Sequence, residues 1–203
     1  IVYFAAGNSN QFAIDASGRW WGWGNNYNGE LGNGIKDAQL EPILLSIDLD
    51  VKQISVGSSF VLVLQKDYSI WAWGSNDEGQ LGDGSIIRSK DCIQVANLTG
   101  IIQIANGDYH SIALKSDGTV WAWGSNTLGQ LGDGTTENRD IPVQVSGLTD
   151  VVAISASSSH NLAVKSDGTV WHWGRFLSTN YSTPTQLFET ADHSTPFIAE
   201  TTQ

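Results

Sequence analysis

Histidine is the side chain best suited to acid–base chemistry near neutral pH, and the chain contains four histidines. His110 and His160 lie 50 residues apart at one position of a repeated pattern, where Phe60 and Asn10 stand in other copies. A side chain that recurs with a repeat usually serves the fold, so we interpret both histidines as structural. His172 lies between two tryptophans, where other copies carry glycine or alanine, and we interpret it as a packing variant. The histidines therefore predict no catalytic centre.

Acidic residues form a second candidate site. Asp77, Glu78 and Asp83 follow a tryptophan motif, and carboxylate oxygens are the ligands that Ca²⁺ prefers. Their spacing is not that of an EF-hand, however, and equivalent residues such as Tyr27 and Thr127 break the acidic pattern. The glycines of this segment are explained by tight turns alone. We therefore predict no metal site.

The remaining motifs of catalysis are missing from the sequence. The Gly-rich segments lack the lysine of a P-loop, and no Gly-x-Ser-x-Gly motif is present for a serine nucleophile. Cys92, the single cysteine, occupies a repeat position that proline takes elsewhere, so we interpret it as a structural thiol. The sequence predicts a protein that is not an enzyme and has no cofactor.

A tandem repeat organises nearly the whole chain. Trp-x-Trp-Gly occurs four times at intervals of 50 residues, beginning at Trp21 and ending with the copy at Trp171. A second motif, Gly-Glu/Gln-Leu-Gly-Asn/Asp-Gly, keeps the same interval at residues 29–34, 79–84 and 129–134. A fixed period of this length indicates a repeat architecture.

Each unit has the pattern of short β-strands. In the fourth unit, residues 151–155 and 161–164 are apolar and β-branched, and an Asp-Gly turn precedes the tryptophan strand. Four strands in about 50 residues predict an all-β fold, a β-propeller of four-stranded antiparallel blades. We expect the first tryptophan of each motif to fill the wedge between blades and all eight tryptophans to belong to the repeat core. These residues are Trp21, Trp23, Trp71, Trp73, Trp121, Trp123, Trp171 and Trp173.

Charge limits the partners that the chain can have. Ten Lys and Arg residues against 21 Asp and Glu residues leave a formal net charge of −11. Such a charge repels phosphate backbones and anionic lipid, so we expect neither nucleic-acid nor membrane binding. A single cysteine also excludes a disulfide within the chain.

The unit at residues 116–135, SDGTVWAWGSNTLGQLGDGT, resembles the repeat of the regulator of chromosome condensation family. The resemblance runs from residue 1 to about Leu187. It implies a propeller whose ring usually has seven blades, so the four units predict an arc of a larger ring, completed by further blades or by another chain.

The repeats set the expected boundaries. The fourth unit is shortened, because residues 175–180 replace the Gly-Gln-Leu-Gly-Asp-Gly segment. We expect residues 193–203 to form a tail or to begin a further strand. The predicted repeats, residues 1–192 in all, are 1–50, 51–100, 101–150 and 151–192.

Function must come from positions that vary between repeats, since the shared positions maintain the fold. Interfaces favour aromatic anchors, and Tyr27, Tyr109 and Phe176 are variable aromatics in expected loops, so they are our candidates for partner contacts. We predict a protein-binding module. Its composition is similar to that of bacterial extracellular members of the family, which suggests an exported binder or inhibitor.

Two alternatives remain open. The resemblance also implies a guanine-nucleotide-exchange regulator of a small GTPase, as for the founding member of the family. A third hypothesis, carbohydrate binding, rests on the nine tryptophans. Eight of them belong to the repeated motif and are expected to be buried, so only Trp20 lies outside it.

Overall fold

A computed structural model describes residues 1–187, which form sixteen strands in four antiparallel sheets, as the repeat pattern predicts. The strands of blade one are β1 (Tyr3–Ala6), β2 (Asn10–Ile14), β3 (Trp20–Gly24) and β4 (Gln39–Leu45). Those of blade two are β5 (Val51–Val56), β6 (Phe60–Gln65), β7 (Ile70–Gly74) and β8 (Ser89–Gln94). Those of blade three are β9 (Ile101–Asn106), β10 (His110–Lys115), β11 (Val120–Gly124) and β12 (Arg139–Gln144). Those of blade four are β13 (Val151–Ser157), β14 (His160–Lys165), β15 (Val170–Phe176) and β16 (Thr179–Gln186).

Each sheet lies within one repeat and orders its strands as they occur in the sequence. The described part of the chain contains no helix that could cross a membrane. The expected tail, residues 193–203, and the end of the fourth repeat lie outside the described residues.

Burial explains the apolar character of the strands. The second strand of blade two, β6, has the sequence FVLVLQ and is buried on both faces up to its last residue. A strand covered on both sides has no solvent-facing positions, so its residues do not alternate in polarity. The fourth strand, β8, is mostly exposed or half-buried and lies at the sheet edge opposite β5.

The Asp-Gly turn sets the register of the central hairpin. In blade three, Gly118 adopts a φ of 80°, which glycine tolerates because it has no Cβ. The Asp117 carboxylate accepts a hydrogen bond from the Thr119 amide at 3.0 Å. Leu114 therefore pairs with Val120. The pairing continues along β10 and β11 as far as His110 and Gly124.

Neighbouring blades meet along their first strands. Strand β9 contacts both β5 and β13, the first strands of the adjacent blades. The Gln53 amide group joins β5 to β9, since its nitrogen donates to the Ile104 carbonyl at 2.8 Å and its oxygen accepts from the Ile104 amide at 2.9 Å. Gln103 makes the same pair of bonds to Ile154. The first strands therefore form the inner edge of the blade array.

The second tryptophan of the motif fills the wedge between blades. In blades two to four its indole is fully buried, and Nε1 donates to a main-chain carbonyl in the Gly-Glx-Leu-Gly segment of the preceding blade. Gly82 makes this approach possible, because a Cβ there would lie 2.6 Å from Nε1 of Trp123. The three bonds are Trp73 to Glu30 at 2.8 Å, Trp123 to Gln80 at 2.9 Å and Trp173 to Gln130 at 3.0 Å.

The first tryptophan does not fill the wedge, contrary to our expectation. Trp121 is half-buried because it lies one pair from the Asp-Gly turn, at the solvent edge of the sheet. Its Nε1 donates to the Thr119 hydroxyl at 3.3 Å, and the Lys115 ammonium lies 5.8 Å from its ring centroid. The equivalent residues are also half-buried; they are Trp21, Trp71 and Trp171.

Blade one departs from the pattern in two ways. Trp23, the second tryptophan of its motif, is only half-buried. Trp20 is fully buried and packs edge-on against Phe12 and Trp73, with ring centroids 6.3 and 6.0 Å apart. In this unit a tryptophan thus contributes to the core from outside the repeated motif.

These two environments predict different costs of truncation. Trp123→Ala should lower the free energy of unfolding by about 3–5 kcal/mol, because it opens a large cavity and removes a buried hydrogen bond. Trp121→Ala should cost about 1 kcal/mol, since its ring is partly in water. Urea denaturation of the two variants measures the difference. Equal losses would show that both tryptophans belong to the core.

Candidate functional site: the loop rim

One edge of the blades carries two kinds of connection. The turns between first and second strands and the segments between third and fourth strands emerge together, since the strands alternate in direction. Main-chain hydrogen bonds join the two kinds of connection. For example, the Ser75 amide donates to the Ser59 carbonyl at 2.8 Å, and the Ser125 amide donates to the Tyr109 carbonyl at 2.9 Å. We call this edge the loop rim. Its turns are residues 7–9, 57–59, 107–109 and 158–159, and its long segments are residues 25–38, 75–88 and 125–138. Blade four has a two-residue turn, residues 177–178, in place of a long segment.

A buried asparagine organises each long segment of the loop rim. In blade two, the Asn76 side-chain oxygen accepts from the Leu81 amide at 2.9 Å. Its nitrogen donates to the Asp83 carboxylate at 3.2 Å and to the carbonyls of Ser85 and Ile87 at 2.9 and 3.1 Å. Asn26 and Asn126 make equivalent bonds. The sequence analysis missed this role, although an asparagine follows three of the four Trp-x-Trp-Gly motifs at the same distance.

Blade four replaces this asparagine with Phe176, which stands 50 residues after Asn126. Without the amide, the long segment is lost, and β15 and β16 continue into a tight hairpin. Leu177 at its tip is 82% exposed and has a φ of 54°, a conformation that L-residues rarely adopt. A two-residue hairpin turn requires a positive φ at its first turn residue, so the hairpin itself accounts for this conformation.

The Phe176 ring packs on a cluster of aromatic side chains behind the hairpin. Its centroid lies 5.3 Å from that of His160, in a stacked arrangement, and 5.1 Å from that of His172. Nε2 of His160 and Nδ1 of His172 are 3.1 Å apart, and Tyr181 meets His172 edge-on at 4.7 Å. Burial lowers the pKa of both histidines, and the neighbouring His172 lowers that of His160 further. Both shifts favour the neutral form of the imidazoles.

Tyr27 and Tyr109 lie on the loop rim, and Phe176, the last residue of β15, borders it. Tyr27 is 70% exposed, Tyr109 is 50% exposed and Phe176 is 39% exposed. Tyr27 belongs to blade one, whereas Tyr109 and Phe176 belong to the adjacent blades three and four.

Hydrogen bonds connect the loops of Tyr109 and Phe176. The Asp108 amide donates to the Ser158 carbonyl at 2.8 Å, and the Arg175 amide donates to the Ser159 carbonyl at 2.9 Å. The turn of blade three is therefore linked to the turn of blade four, and that turn is linked to the hairpin. Tyr27 is separated from these loops by blade two.

The acidic residues considered as metal ligands are engaged in other contacts. Arg88 donates to the Asp77 carboxylate at 2.6 Å, and these bonds lower the pKa of Asp77. The Asp83 carboxylate accepts from Asn76 and Ser85. Within residues 1–187, no group of three or more His, Cys, Asp or Glu side chains could hold a metal ion.

Cys92 lies in β8 and is half-buried. Burial, with the nearby Asp91 carboxylate, raises the pKa of its thiol to about 12. The thiol is protonated at neutral pH and is a poor nucleophile.

His110 lies in the contact between blades three and four. It is fully buried, and its Nε2 is 2.8 Å from the Asn161 side-chain oxygen. Burial lowers the pKa of His110 to about 4, against the opposing effect of that hydrogen bond. The imidazole is therefore neutral in the folded protein down to mildly acidic pH.

This burial predicts loss of stability in acid. Between an unfolded pKa near 6.5 and the folded value of about 4, the unfolded chain binds more protons, so the free energy of unfolding falls as the pH falls. His110 should account for a loss of about 3 kcal/mol across this interval. Denaturation at a series of pH values measures it.

The chain offers a matched control for this prediction. The pair Phe60 and Ser111 occupies the equivalent positions between blades two and three. The double variant His110→Phe, Asn161→Ser reproduces that pair and should flatten the pH dependence. An unchanged profile would assign the acid sensitivity to other groups, His160 and His172 first.

Sheets of four antiparallel strands, joined side by side along their first strands, define a β-propeller. The model of the RCC1-like domain matches residues 1–199. The chain therefore belongs to the RCC1-like domain family. A search of curated proteins gives no match.

Solved structures share the fold. Human WBSCR16 is 26% identical with a TM-score of 0.79, over 92% of this chain and 54% of that protein. Yeast RCC1 (Prp20) bound to Kap60 is 23% identical with a TM-score of 0.82, over 94% of this chain and 49% of that protein. Prp20p of Saccharomyces cerevisiae in a second structure is 24% identical with a TM-score of 0.78, over 94% and 51%. The chain spans about half the length of these relatives.

Proposed function

We propose that the chain is a protein-binding propeller module whose partner contacts the loop rim at blades three and four. The observation that carries this proposal is that Tyr109, Phe176 and Leu177 lie in or beside loops joined by main-chain hydrogen bonds. All three side chains are exposed, and each occupies a repeat position where other blades carry a different residue. Exposed apolar side chains on a rigid scaffold are typical anchors of protein interfaces.

Charge favours a basic protein as the partner. The net charge of −11 attracts positively charged surfaces and repels nucleic acid. Prp20p, which shares the fold, has been studied for its binding to Gsp1p and to histones. These proteins are the first candidates, with histones favoured by charge.

The other two hypotheses have less support. Carbohydrate binding rested on the nine tryptophans, and Trp20, the one outside the repeated motif, is fully buried and cannot stack on a sugar. The family match and the likeness to Prp20 favour a regulator over an exported inhibitor.

Substitution of the anchors tests the proposal. Tyr109→Ala and Phe176→Ala should each weaken binding to core histones or to Gsp1p by about tenfold, because each removes apolar area from the contact. Leu40→Ala is the matched control, since Leu40 is 96% exposed on β4 of blade one, away from blades three and four. Titration calorimetry measures the affinities. Equal effects of all three substitutions, or no binding to either protein, would contradict the proposal.

Nucleotide exchange is a second candidate function, supported by the family and by the likeness to Prp20. The experiment is the release of fluorescent GDP from Gsp1p with and without the chain. Acceleration that Phe176→Ala removes and Leu40→Ala preserves would support an exchange regulator. Binding without acceleration would leave a binding module.

A further inference from the structure

Three grooves repeat along the outer part of the loop rim, one at each contact between blades. Each groove lies between the long segment of one blade and the fourth strand of the next blade. The glycines of the repeated motif identify equivalent residues on the fourth strands, because each glycine lies beside one of them. The first glycine of the motif lies beside Lys90, Asp140 or Ser182, and the last glycine lies beside Asp91, Ile141 or Thr183.

The groove between blades two and three is apolar at two places where the other grooves are polar or charged. Ile86 lies on the segment of blade two and is 64% exposed, and Ile141 lies on β12 of blade three and is 41% exposed. The repeat does not require either isoleucine, so both are available for a contact outside the fold. The residues at these places are Lys36 and Asp91 between blades one and two, and Thr136 and Thr183 between blades three and four.

A cavity of about 220 Å³ opens in this groove beside Ile86. The side chains of Asp77, Glu78, Asn138 and Asp140 line the rest of it. Sites for small-molecule ligands usually have volumes of roughly 300–1,000 Å³. The cavity is therefore suited to a side chain of a longer ligand rather than to a whole small molecule.

The charge at this cavity is negative. Arg88 pairs with the Asp77 carboxylate at 2.6 Å, so the charge of Asp77 is compensated. Glu78 accepts a hydrogen bond from the neutral Asn138 amide, and within residues 1–187 no salt bridge joins Glu78 or Asp140 to a cation. Two negative charges beside exposed isoleucines favour a ligand that has both a basic and an apolar side chain.

Hydrogen bonds hold the walls of the groove in place. The Gly84 amide donates to the Asp140 carbonyl at 2.9 Å and joins the segment of blade two to β12. The Asn76 amide group donates to the carbonyls on either side of Ile86, those of Ser85 and Ile87, at 2.9 and 3.1 Å. Because both walls are already ordered, binding of a ligand requires little further ordering of the protein.

We infer that the groove between blades two and three binds an extended segment of a partner protein that combines an apolar side chain with lysine or arginine. The apolar side chain packs against Ile86 and Ile141, and the cation lies at the carboxylates of Glu78 and Asp140. These carboxylates repel an acidic or phosphate-bearing ligand. The inference goes beyond the proposed function, since the groove contains none of the three anchors of that proposal.

A random heptapeptide library displayed on phage is the probe for this groove. The library is first depleted on the double variant Ile86→Thr, Ile141→Thr, which carries the residue type of the third groove at both places. It is then selected on the unmodified chain. We expect the enriched peptides to contain lysine or arginine near an apolar residue. Enrichment of acidic or wholly polar peptides, or no enrichment at all, would overturn the inference.

Fluorescence anisotropy of an enriched peptide measures the two contacts separately. The double variant should weaken binding by at least tenfold. Asp140→Ser should weaken it by about tenfold at low ionic strength and by less at high salt, because salt screens the lost attraction. Val152→Thr is the matched control, since Val152 is 56% exposed on β13 of blade four, and it should leave the affinity unchanged. Equal losses in the control and in the groove variants would contradict the inference.

Phe176→Ala separates this inference from the proposed function. It should leave the affinity for the peptide unchanged, because Phe176 lies in blade four and outside the groove. A loss equal to that of the double variant would place the peptide at the hairpin and would refute binding in the groove. Failure to bind histones or Gsp1p would contradict the proposed function and leave the peptide result standing.

Discussion

The fold depends on the insertion of one tryptophan into the preceding blade. A single sheet of four short strands buries too little apolar surface to be stable alone, so each blade needs its neighbour. The indole is among the largest fully buried side chains, and its N–H donates to a main-chain carbonyl of the preceding blade. In blades two to four, one side chain thus provides both apolar packing and a hydrogen bond between blades.

This contact imposes further requirements on the loop rim. The segment that receives the tryptophan must hold its carbonyl in place, and the buried amides of Asn26, Asn76 and Asn126 do so. Glycines at the point of contact allow the indole to approach the main chain. In blades one to three, these asparagines and glycines are therefore constrained by the contact between blades.

These requirements do not apply to blade four, because it lacks the segment that would receive a following tryptophan. Its surface therefore differs from that of the other blades. Phe176 replaces the organising asparagine, and a short hairpin replaces the long segment. The hairpin presents Leu177 to solvent while Phe176 packs on the two histidines. Blade four thus presents apolar side chains where the other blades receive a following tryptophan.

The repeat period, the Asp-Gly turn and the apolar strands were sufficient to predict a propeller of four-stranded blades, because these features are local and recur at a constant interval. The sequence also indicated the aromatics of the loop rim, since they vary among otherwise similar units. It did not show that Trp123 rather than Trp121 is buried. Both residues face the same side of the strand, and only the position of the neighbouring blade distinguishes them.

The tertiary structure likewise decided the roles of His110, Asn76 and Phe176. Their partners are supplied by another blade, by a long loop or by a hairpin that closes across the sheet. Local periodicity determines the secondary structure and the number of blades. Contacts between residues far apart in the chain determine which side chains are buried, which are neutral and which remain exposed to a partner.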